Sequence, residues 1–566
     1  MAIRDVARGA WDRTASFARR IFGSGTGQRA DAPGDDKRGV RIGALDELYH
    51  AEQYDRRNLA PPWDKVPPGG DRQPLRFQRP AVIYALAKVI VDRPTSMLFG
   101  EGRFPRVSFE LANPPPEEPP EPLDPEAGDP EVISAGVRRA KRKKKADPGA
   151  EVARWLSNLI DQGHLEAVGL TWARLGCSLG SGVMTWGYVD GVIEFTPHKA
   201  HHCEPTFHPR STGPIRRLEK LEKRYRFDKR VLESIDGRTD RWVSRRYWHR
   251  EVWTPTEHIV YRDEPADSDE EPAWVPEHVL VHGFGFVPAV WVKSQDDGDP
   301  GSIDGVSLLT SLPTLLESID RTLTGQDRGV RSNTEPEKVY IGIPMDPNTK
   351  KPIAIGGGAS TSLPTGGSAM LLEMMGDGLR VAGEHVMAQR GRALEVSRVT
   401  LPDPDKLLAA SKSGAALRIL FSPTLELVGE LRSSYGAALR TILEQILRAA
   451  REGTLAKLPD EDGNPGTLAL PAPPSIPAGK VGLLWGKYFA PTPEDLLNLS
   501  QAASALKAAG LLDTETLVRF LADDFGVRDV ETLLDELEAQ EAQNMAREAQ
   551  QAKLLADADP PDPPKA

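Results

Sequence analysis

The run from Leu401 to Arg451 constrains the fold more than any other stretch of the sequence. It opens with Leu401-Pro402-Asp403-Pro404-Asp405, and proline, which lacks an N–H and has a fixed φ, prevents a helix from running through it. Ser413 is a suitable N-cap, and apolar residues then recur in steps of three and four up to Leu447. This spacing predicts one amphipathic helix over residues 413–452, roughly 58 Å long. Pro423 should kink this helix, because its ring removes one backbone hydrogen bond.

Size and charge exclude several classes of protein. The chain has 566 residues and a net charge of −11, so it is long enough for several cores and does not bind polyanions by bulk charge. Its only cysteines, Cys177 and Cys203, favour a reducing compartment over a disulfide scaffold. No apolar run is long enough to predict a transmembrane helix, and the N-terminus lacks the apolar core of a secretory signal.

Two charged segments are predicted to lie outside the cores. Residues 1–43 are expected to form a flexible basic arm, with an amphipathic helix at 3–22 that contacts either a membrane surface or, as we favour, an assembly partner. Residues 113–148 are a Pro/Glu run followed by the basic run 138–145, which predicts a disordered insertion. Its basic half is interpreted either as a nucleic-acid contact or, preferably, as part of a solvated loop.

The remaining pattern predicts an α+β fold, in which a mostly antiparallel sheet follows helices. Asp190-Gly191 is the expected turn of a β-hairpin between strands 183–188 and 192–196. Helices are predicted at 45–57, 78–99, 152–179, 307–334, 377–396 and 493–510, and further strands at 223–227, 242–248, 251–254, 258–261, 279–282 and 338–343.

No residue pattern indicates catalysis clearly. Gly176-Cys177-Ser178-Leu179-Gly180 matches the G-x-S-x-G nucleophile elbow, but the elbow requires a strand before a helix and the predicted order here is the reverse. His198, His201, His202, Cys203 and His208 have zinc-ligand chemistry without the spacing of a known zinc motif. Phosphate-binding and dinucleotide-binding loops are missing from the sequence. We therefore expect no enzyme activity, cofactor or metal, and an assembly or scaffold role.

Three patches resemble the portal protein family of tailed bacteriophages, the head-to-tail connectors of siphovirus-like phages. The first is Ile90-Val91-Asp92-Arg93-Pro94-Thr95-Ser96-Met97-Leu98-Phe99-Gly100-Glu101. The second is Leu315-Leu316-Glu317-Ser318-Ile319-Asp320-Arg321-Thr322-Leu323-Thr324, and the third is Ser413-Gly414-Ala415-Ala416-Leu417-Arg418. The order of the elements is also similar, from about residue 45 to about residue 550.

The resemblance implies a ring, usually of twelve subunits, at one capsid vertex. Double-stranded DNA would pass non-specifically through its channel during packaging and ejection. The implied protein partners are the terminase large subunit, the head–tail adaptor and the major capsid or scaffolding protein, with no membrane contact. The implied location is the virion, with assembly in the host cytoplasm.

The resemblance also divides the chain into portal regions. Residues 44–300 would form the wing, 301–335 and 377–396 the stem helices, 336–376 the clip, 397–412 the tunnel loop, 413–490 the long kinked wing helix with a linker, 491–556 the helical crown and 557–566 a disordered tail.

Candidate site residues follow from this division. The tunnel loop would present five residues to DNA: Arg398, Asp403, Asp405, Lys406 and Lys412. Pro423 would lie at the helix kink. The clip would contact its partners through Lys338, Tyr340, Lys350 and Lys351. The basic loop residues would make transient phosphate contacts, although loop solubility explains them equally well. The alternatives are a serine hydrolase using Ser178, and a non-ring capsid or membrane scaffold using residues 1–22.

Overall fold

The structure is a computed structural model. It describes residues 36–55, 77–100, 102–112, 148–189, 191–211, 215–235, 239–266, 272–334, 337–341, 367–372, 376–401, 414–455, 470–473, 475–489 and 493–510, with isolated residues elsewhere. The amphipathic segment 3–22, nearly all of the insertion 113–148, the loop 402–413 and the tail 557–566 lie outside these ranges. Most of the predicted clip and most of the crown also lie outside them.

Nine helices and thirteen strands alternate along the described ranges. The helices are α1 (Asp36–Tyr49), α2 (Leu86–Phe99), α3 (Pro148–Gln162), α4 (Leu165–Leu179), α5 (Pro313–Thr334), α6 (Gly376–Val396), α7 (Gly414–Leu420), α8 (Ser422–Arg451) and α9 (Pro493–Ala508). The strands are β1 (Arg106–Leu111), β2 (Ser181–Val189), β3 (Val192–His198), β4 (Cys203–Phe207), β5 (Leu218–Ile235), β6 (Thr239–Trp253), β7 (Glu257–Tyr261), β8 (Glu264–Pro265), β9 (Pro276–Val281), β10 (Ala289–Lys293), β11 (Glu337–Ile341), β12 (Ser368–Leu372) and β13 (Gly479–Leu484).

The strands form antiparallel sheets, which confirms the predicted α+β class. A three-stranded sheet has the order β10-β2-β3, and a six-stranded sheet has the order β4-β5-β6-β7-β9 with β8 paired to β6. Two further pairs are β1 with β13 and β11 with β12. The predicted hairpin joins β2 and β3, and Gly191 in its turn has a φ of 84°, a conformation that glycine adopts without a steric penalty.

Helix α8 lies at the centre of the larger core. Its buried face runs from Thr424 to Ala449 and packs against α2, β10 and β13. Tyr435 is fully buried there, its hydroxyl 2.9 Å from Ser294 Oγ and its ring centroid 4.9 Å from that of Trp172. Burying one large apolar side chain contributes about 1.5–3 kcal/mol, so this single helix contributes a large part of the core energy.

The predicted long helix is divided in the structure. Helix α7 ends at Leu420 and α8 begins at Ser422, with Pro423 in the first turn of α8. Phe421 between them has φ −98° and ψ 8°. Proline fits the first turn of a helix because its missing N–H is not needed there, so the sequence here supports a new helix start in place of the single kinked helix we predicted.

Other predicted boundaries are also corrected. The arm was expected to extend to residue 43, but α1 begins at Asp36, and Arg38 pairs with Asp304 at 2.6 Å. The predicted helix 152–179 is two helices, α3 and α4, because His164 between them adopts a left-handed φ of 49°. The short strands predicted at 223–227 and 242–248 are parts of one long β5–β6 hairpin.

Candidate functional site

The candidate site consists of the helix pair α5 and α6 and the segment that follows α6. The amide of Gln389 on α6 donates to Ser318 Oγ on α5 at 2.8 Å, and Gln326 on α5 donates to the carbonyl oxygen of Leu379 at 3.4 Å. The order of these contacts shows that the helices are antiparallel. The β11–β12 pair lies between them in the chain, so the described backbone has the order helix, strand pair, helix.

Buried polar residues attach α5 to the rest of the molecule. Asp320 accepts hydrogen bonds from the Tyr84 N–H at 2.7 Å, the Tyr54 hydroxyl at 2.9 Å and the Gln53 amide at 3.2 Å. One turn earlier, Glu317 pairs with Arg57 at 3.2 Å. Burial raises the pKa of Asp320 to about 6, against the lowering effect of these hydrogen bonds. The anchoring residues belong to the second portal-like patch, 315–324.

The first portal-like patch packs against the junction of α7 and α8. It forms α2, in which Ile90, Val91 and Leu98 are fully buried. The Arg93 guanidinium lies 5.4 Å from the centre of the Phe421 ring, at the point where the two later helices separate. Two of the patches therefore support the segments on either side of loop 402–413.

Apolar side chains remain exposed on and around the helix pair. Met387 and Val381 on α6 are 66% and 55% exposed, and Ile419 on α7 is 77% exposed. Val330, Ile341 and Val396 are also exposed. A contiguous group of such side chains would mark a surface that another chain covers.

The chain leaves α6 in a Schellman motif. The Val399 N–H donates to the carbonyl oxygen of Leu394, and the Arg398 N–H donates to that of Glu395. Arg398 occupies the left-handed position, with a φ of 58°, where glycine is usual. A side chain there costs about 1–2 kcal/mol, so a compensating contact is expected.

Glu430 of α8 supplies that contact. Its carboxylate receives two hydrogen bonds from the Arg398 guanidinium, at 2.7 and 2.8 Å, and one from the Gln295 amide at 3.1 Å. The Arg398 guanidinium lowers the pKa of Glu430. Because this pair neutralises Arg398, a DNA phosphate would have to displace Glu430 to reach it.

Thr424 makes a second attachment at the same place. Its hydroxyl accepts the Thr400 N–H at 2.7 Å and donates to the Arg398 carbonyl oxygen at 3.1 Å. Thr424 is fully buried, and Val399 is nearly so. The backbone is therefore held on α8 up to Thr400, and residues 402–413 lie just beyond this point in the chain.

The other predicted site residues are not tested. Asp403, Asp405, Lys406 and Lys412 of the tunnel loop and Lys350 and Lys351 of the clip lie outside the described residues. Lys338 and Tyr340 lie on β11, of which the backbone alone is described. Sequence reasoning missed Thr424 and Glu430, because no local pattern connects them to a residue 26 or 32 positions earlier.

Ser178 does not lie in a nucleophile elbow. It is fully buried in the last turn of α4, where its hydroxyl donates to the Leu175 carbonyl oxygen at 3.1 Å. Strand β2 follows the helix, with Gly180 at the junction. This order is opposite to that of the elbow, so the hydroxyl does not face a substrate site.

The histidine and cysteine cluster does not form a metal site. His198 is buried with its Nε2 atom 2.8 Å from Thr185 Oγ1, while His201 and His202 lie in a short 3-10 turn. Across the described ranges, no group of three His, Cys, Asp or Glu side chains has a metal-binding arrangement. In the same part of the chain, no helix is both long and apolar enough to cross a membrane.

Comparisons with known proteins give weak structural likeness alone. No protein-family model matches the chain, and no curated protein matches it. Among solved structures, a chain of the "Neck of native GTA particle computed with C12 symmetry" is 10% identical with a TM-score of 0.33, over 90% of this chain and 98% of that chain. A chain of the "Virion of native gene transfer agent (GTA) particle" is 11% identical with a TM-score of 0.35, over the same shares of both chains. Both are thus particle components, and likeness at this level assigns neither a family nor a function.

Proposed function

We propose that this chain is a portal-type subunit that forms a ring at a capsid vertex and conducts double-stranded DNA. The observation that carries the proposal is the anchored exit from α6. A helix pair ends in a segment held by Thr424 and Glu430, and residues 402–413 follow it in the chain, before α7 and the central helix α8. The sequence resemblance assigns this position to the tunnel loop.

The anchoring suits a loop that works on moving DNA. A loop that meets passing DNA needs a fixed base, which the buried hydroxyl of Thr424 and the Schellman motif provide. Strong phosphate binding would slow movement, because each Lys or Arg contact releases counterions and adds affinity. The ion pair with Glu430 reduces that affinity at Arg398.

The exposed apolar residues suit a ring of identical subunits. In a ring, each subunit would cover the neighbouring copy of Met387, Val381 and Ile419, which are exposed in one chain. The clip around β11 and β12 would then bind the terminase large subunit and later the head–tail adaptor. The wing would contact the major capsid or scaffolding protein, which places the chain in the virion after assembly in the host cytoplasm. No catalytic role is part of the proposal.

Negative-stain electron microscopy of the purified protein tests the ring. We expect rings with a central hole for the unmodified chain and dispersed subunits for Met387→Glu, because a carboxylate is costly to bury at an interface. Val40→Glu is the matched control, since Val40 is also exposed but lies on α1. The proposal would be contradicted if the unmodified protein stayed monomeric at high concentration. It would also be contradicted if Met387→Glu formed rings as complete as those of the control.

A further inference from the structure

Among the residues that the structure describes, strand β9 is an edge of the six-stranded sheet, and it carries little protection against pairing with another strand. The opposite edge, β4, contains Pro205, and β3, one of the two edges of the three-stranded sheet, contains Pro197. Proline removes a hydrogen-bond donor and so discourages a new strand. In β9 the single proline, Pro276, is the first residue, and residues 277–281 keep their donors.

The hydrogen-bond phase shows which backbone groups of β9 are free. The His282 N–H donates to the Thr256 carbonyl oxygen at 2.9 Å, so residues 280 and 282 direct their backbone groups toward β7. In an antiparallel ladder these directions alternate. The N–H and C=O groups of Val279 and Val281 therefore point away from the sheet, and the two side chains are 51% and 63% exposed.

A cavity of about 300 Å³ adjoins this edge. Leu280 of β9 and His282 just after it form part of its wall. Its other apolar lining includes Trp186, Trp253 and Phe284, and the exposed residues Glu194 and Thr196 lie at its rim. This volume is at the lower end of ligand-site volumes and accommodates one aromatic side chain.

His282 and Glu251 belong to the polar part of the cavity wall. His282 is 6% exposed, and its Nδ1 atom accepts the Phe284 N–H at 3.3 Å. Burial lowers the pKa of His282 to about 4, against the raising effect of hydrogen bonds to the backbone of Thr254 and Glu257, so the ring is neutral. The Glu251 carboxylate accepts from Lys223 at 2.7 Å and from His249 at 2.7 Å, which leaves the aromatic lining as the main recognition surface of the cavity.

Three carboxylates around the edge select a basic partner. Glu194 lies at the cavity rim, Glu277 on β9 and Glu257 opposite Val281 on β7. None of the three forms an ion pair with another residue in the part of the chain that the structure describes. The face of β9 that carries Glu277, Val279 and Val281 has no basic residue of its own, so β9 of a second copy would leave these carboxylates unpaired.

We propose that β9 docks an extended segment of a partner protein different from this chain. The segment would add as a strand beside Val279 and Val281, place a tyrosine ring in the cavity against Trp186, Trp253 and Phe284, and carry Lys or Arg toward the carboxylates. In this mode of recognition, backbone hydrogen bonds provide affinity and a pocket for alternate side chains provides specificity. The inference does not depend on the portal proposal.

Fluorescence anisotropy with a labelled peptide of sequence KTVYVTK tests the proposal on the full-length protein. In a strand, its tyrosine would face the cavity, while its valines and lysines would share the face of Val279, Val281 and Glu277. We expect saturable binding below about 1 mM, weakened at least tenfold by replacing the tyrosine with alanine or by N-methylating both valines, which removes the donors facing β9.

Variants of the protein complete the test. Val281→Lys, which places a charge on the edge, should weaken binding at least tenfold, while Leu497→Lys on α9, an equally exposed position, should leave it unchanged. Circular dichroism establishes that both variants are folded, and Val279→Lys replaces Val281→Lys if the latter is not. Three results would overturn the proposal. The first is that the peptide does not bind, and the second is that the N-methylated peptide binds as tightly as the unmodified one. The third is that Val281→Lys loses self-association while its peptide binding is unchanged.

Discussion

At the scale of single residues, buried polar groups hold the candidate site in place. Asp320 connects α5 to the segment before α2, and Thr424 connects the exit from α6 to α8. Removing one partner from such a buried pair costs about 1–3 kcal/mol, because the other is left without a hydrogen bond. The spacing of apolar residues predicts the buried face of each helix, but it does not predict that Asp320 or Thr424 is buried.

Asp320→Asn should remove a pH-dependent part of the stability. Burial raises the pKa of Asp320 to about 6 in the folded chain, above the value near 4 of an unfolded aspartate. The folded state thus retains the proton to higher pH, so this carboxyl favours folding most below pH 4 and loses that contribution as the pH rises from about 4 to about 6. The loss amounts to about 2–3 kcal/mol.

Urea unfolding of the unmodified chain and of Asp320→Asn between pH 4 and pH 7.5 measures this effect. The difference in unfolding free energy between them should change across the window from pH 4 to 6 and stay constant above it. Asp377→Asn, at the exposed start of α6, is the control. An identical pH dependence in all three proteins would show that Asp320 titrates as an ordinary carboxyl.

At the scale of elements, close approach to α8 explains the small residues at the end of α4. A Cβ atom at Gly176 would overlap the Tyr435 hydroxyl and the backbone of Gly182. The G-x-S-x-G spacing around Ser178 therefore has a packing explanation. The apolar face of α8 was predictable from its spacing, but its separation from α7 at Phe421 was not, because a proline in a first turn and a proline at a kink look alike in sequence.

Two glycine substitutions test this packing. Gly176→Ala should destabilise the protein by about 2 kcal/mol, since the overlap with Tyr435 exceeds the gain in helix propensity. Gly429→Ala on α8 should stabilise it by roughly 0.5–1 kcal/mol, because the added Cβ meets no atom within 4 Å and alanine favours a helix. Chemical denaturation measures both, and equal effects would refute the assignment of Gly176 to a tight contact.

At the scale of the whole molecule, the helix pair, its anchored exit and the central helix form one connected unit. Deleting residues 402–410 should preserve assembly, because the anchoring residues Thr400, Thr424 and Glu430 remain, but DNA packaging or retention should fail. Electron microscopy and a nuclease-protection assay measure the two effects separately. Abolished rings would contradict the tunnel-loop assignment, whereas normal DNA retention would show that the loop does not act on DNA.

The sequence alone determined the α+β class, the β2–β3 hairpin and the apolar face of α8, because these depend on backbone sterics and on side-chain spacing within one element. The tertiary structure decided the pairing of Arg398 with Glu430, the burial of Asp320 and the cavity beside β9. These features join residues far apart in the chain: 32 positions separate the members of the Arg398–Glu430 pair, and 236 separate Tyr84 from Asp320. The free energy of such a contact depends on which surfaces the folded chain brings together, and the spacing of residues within one element does not predict this.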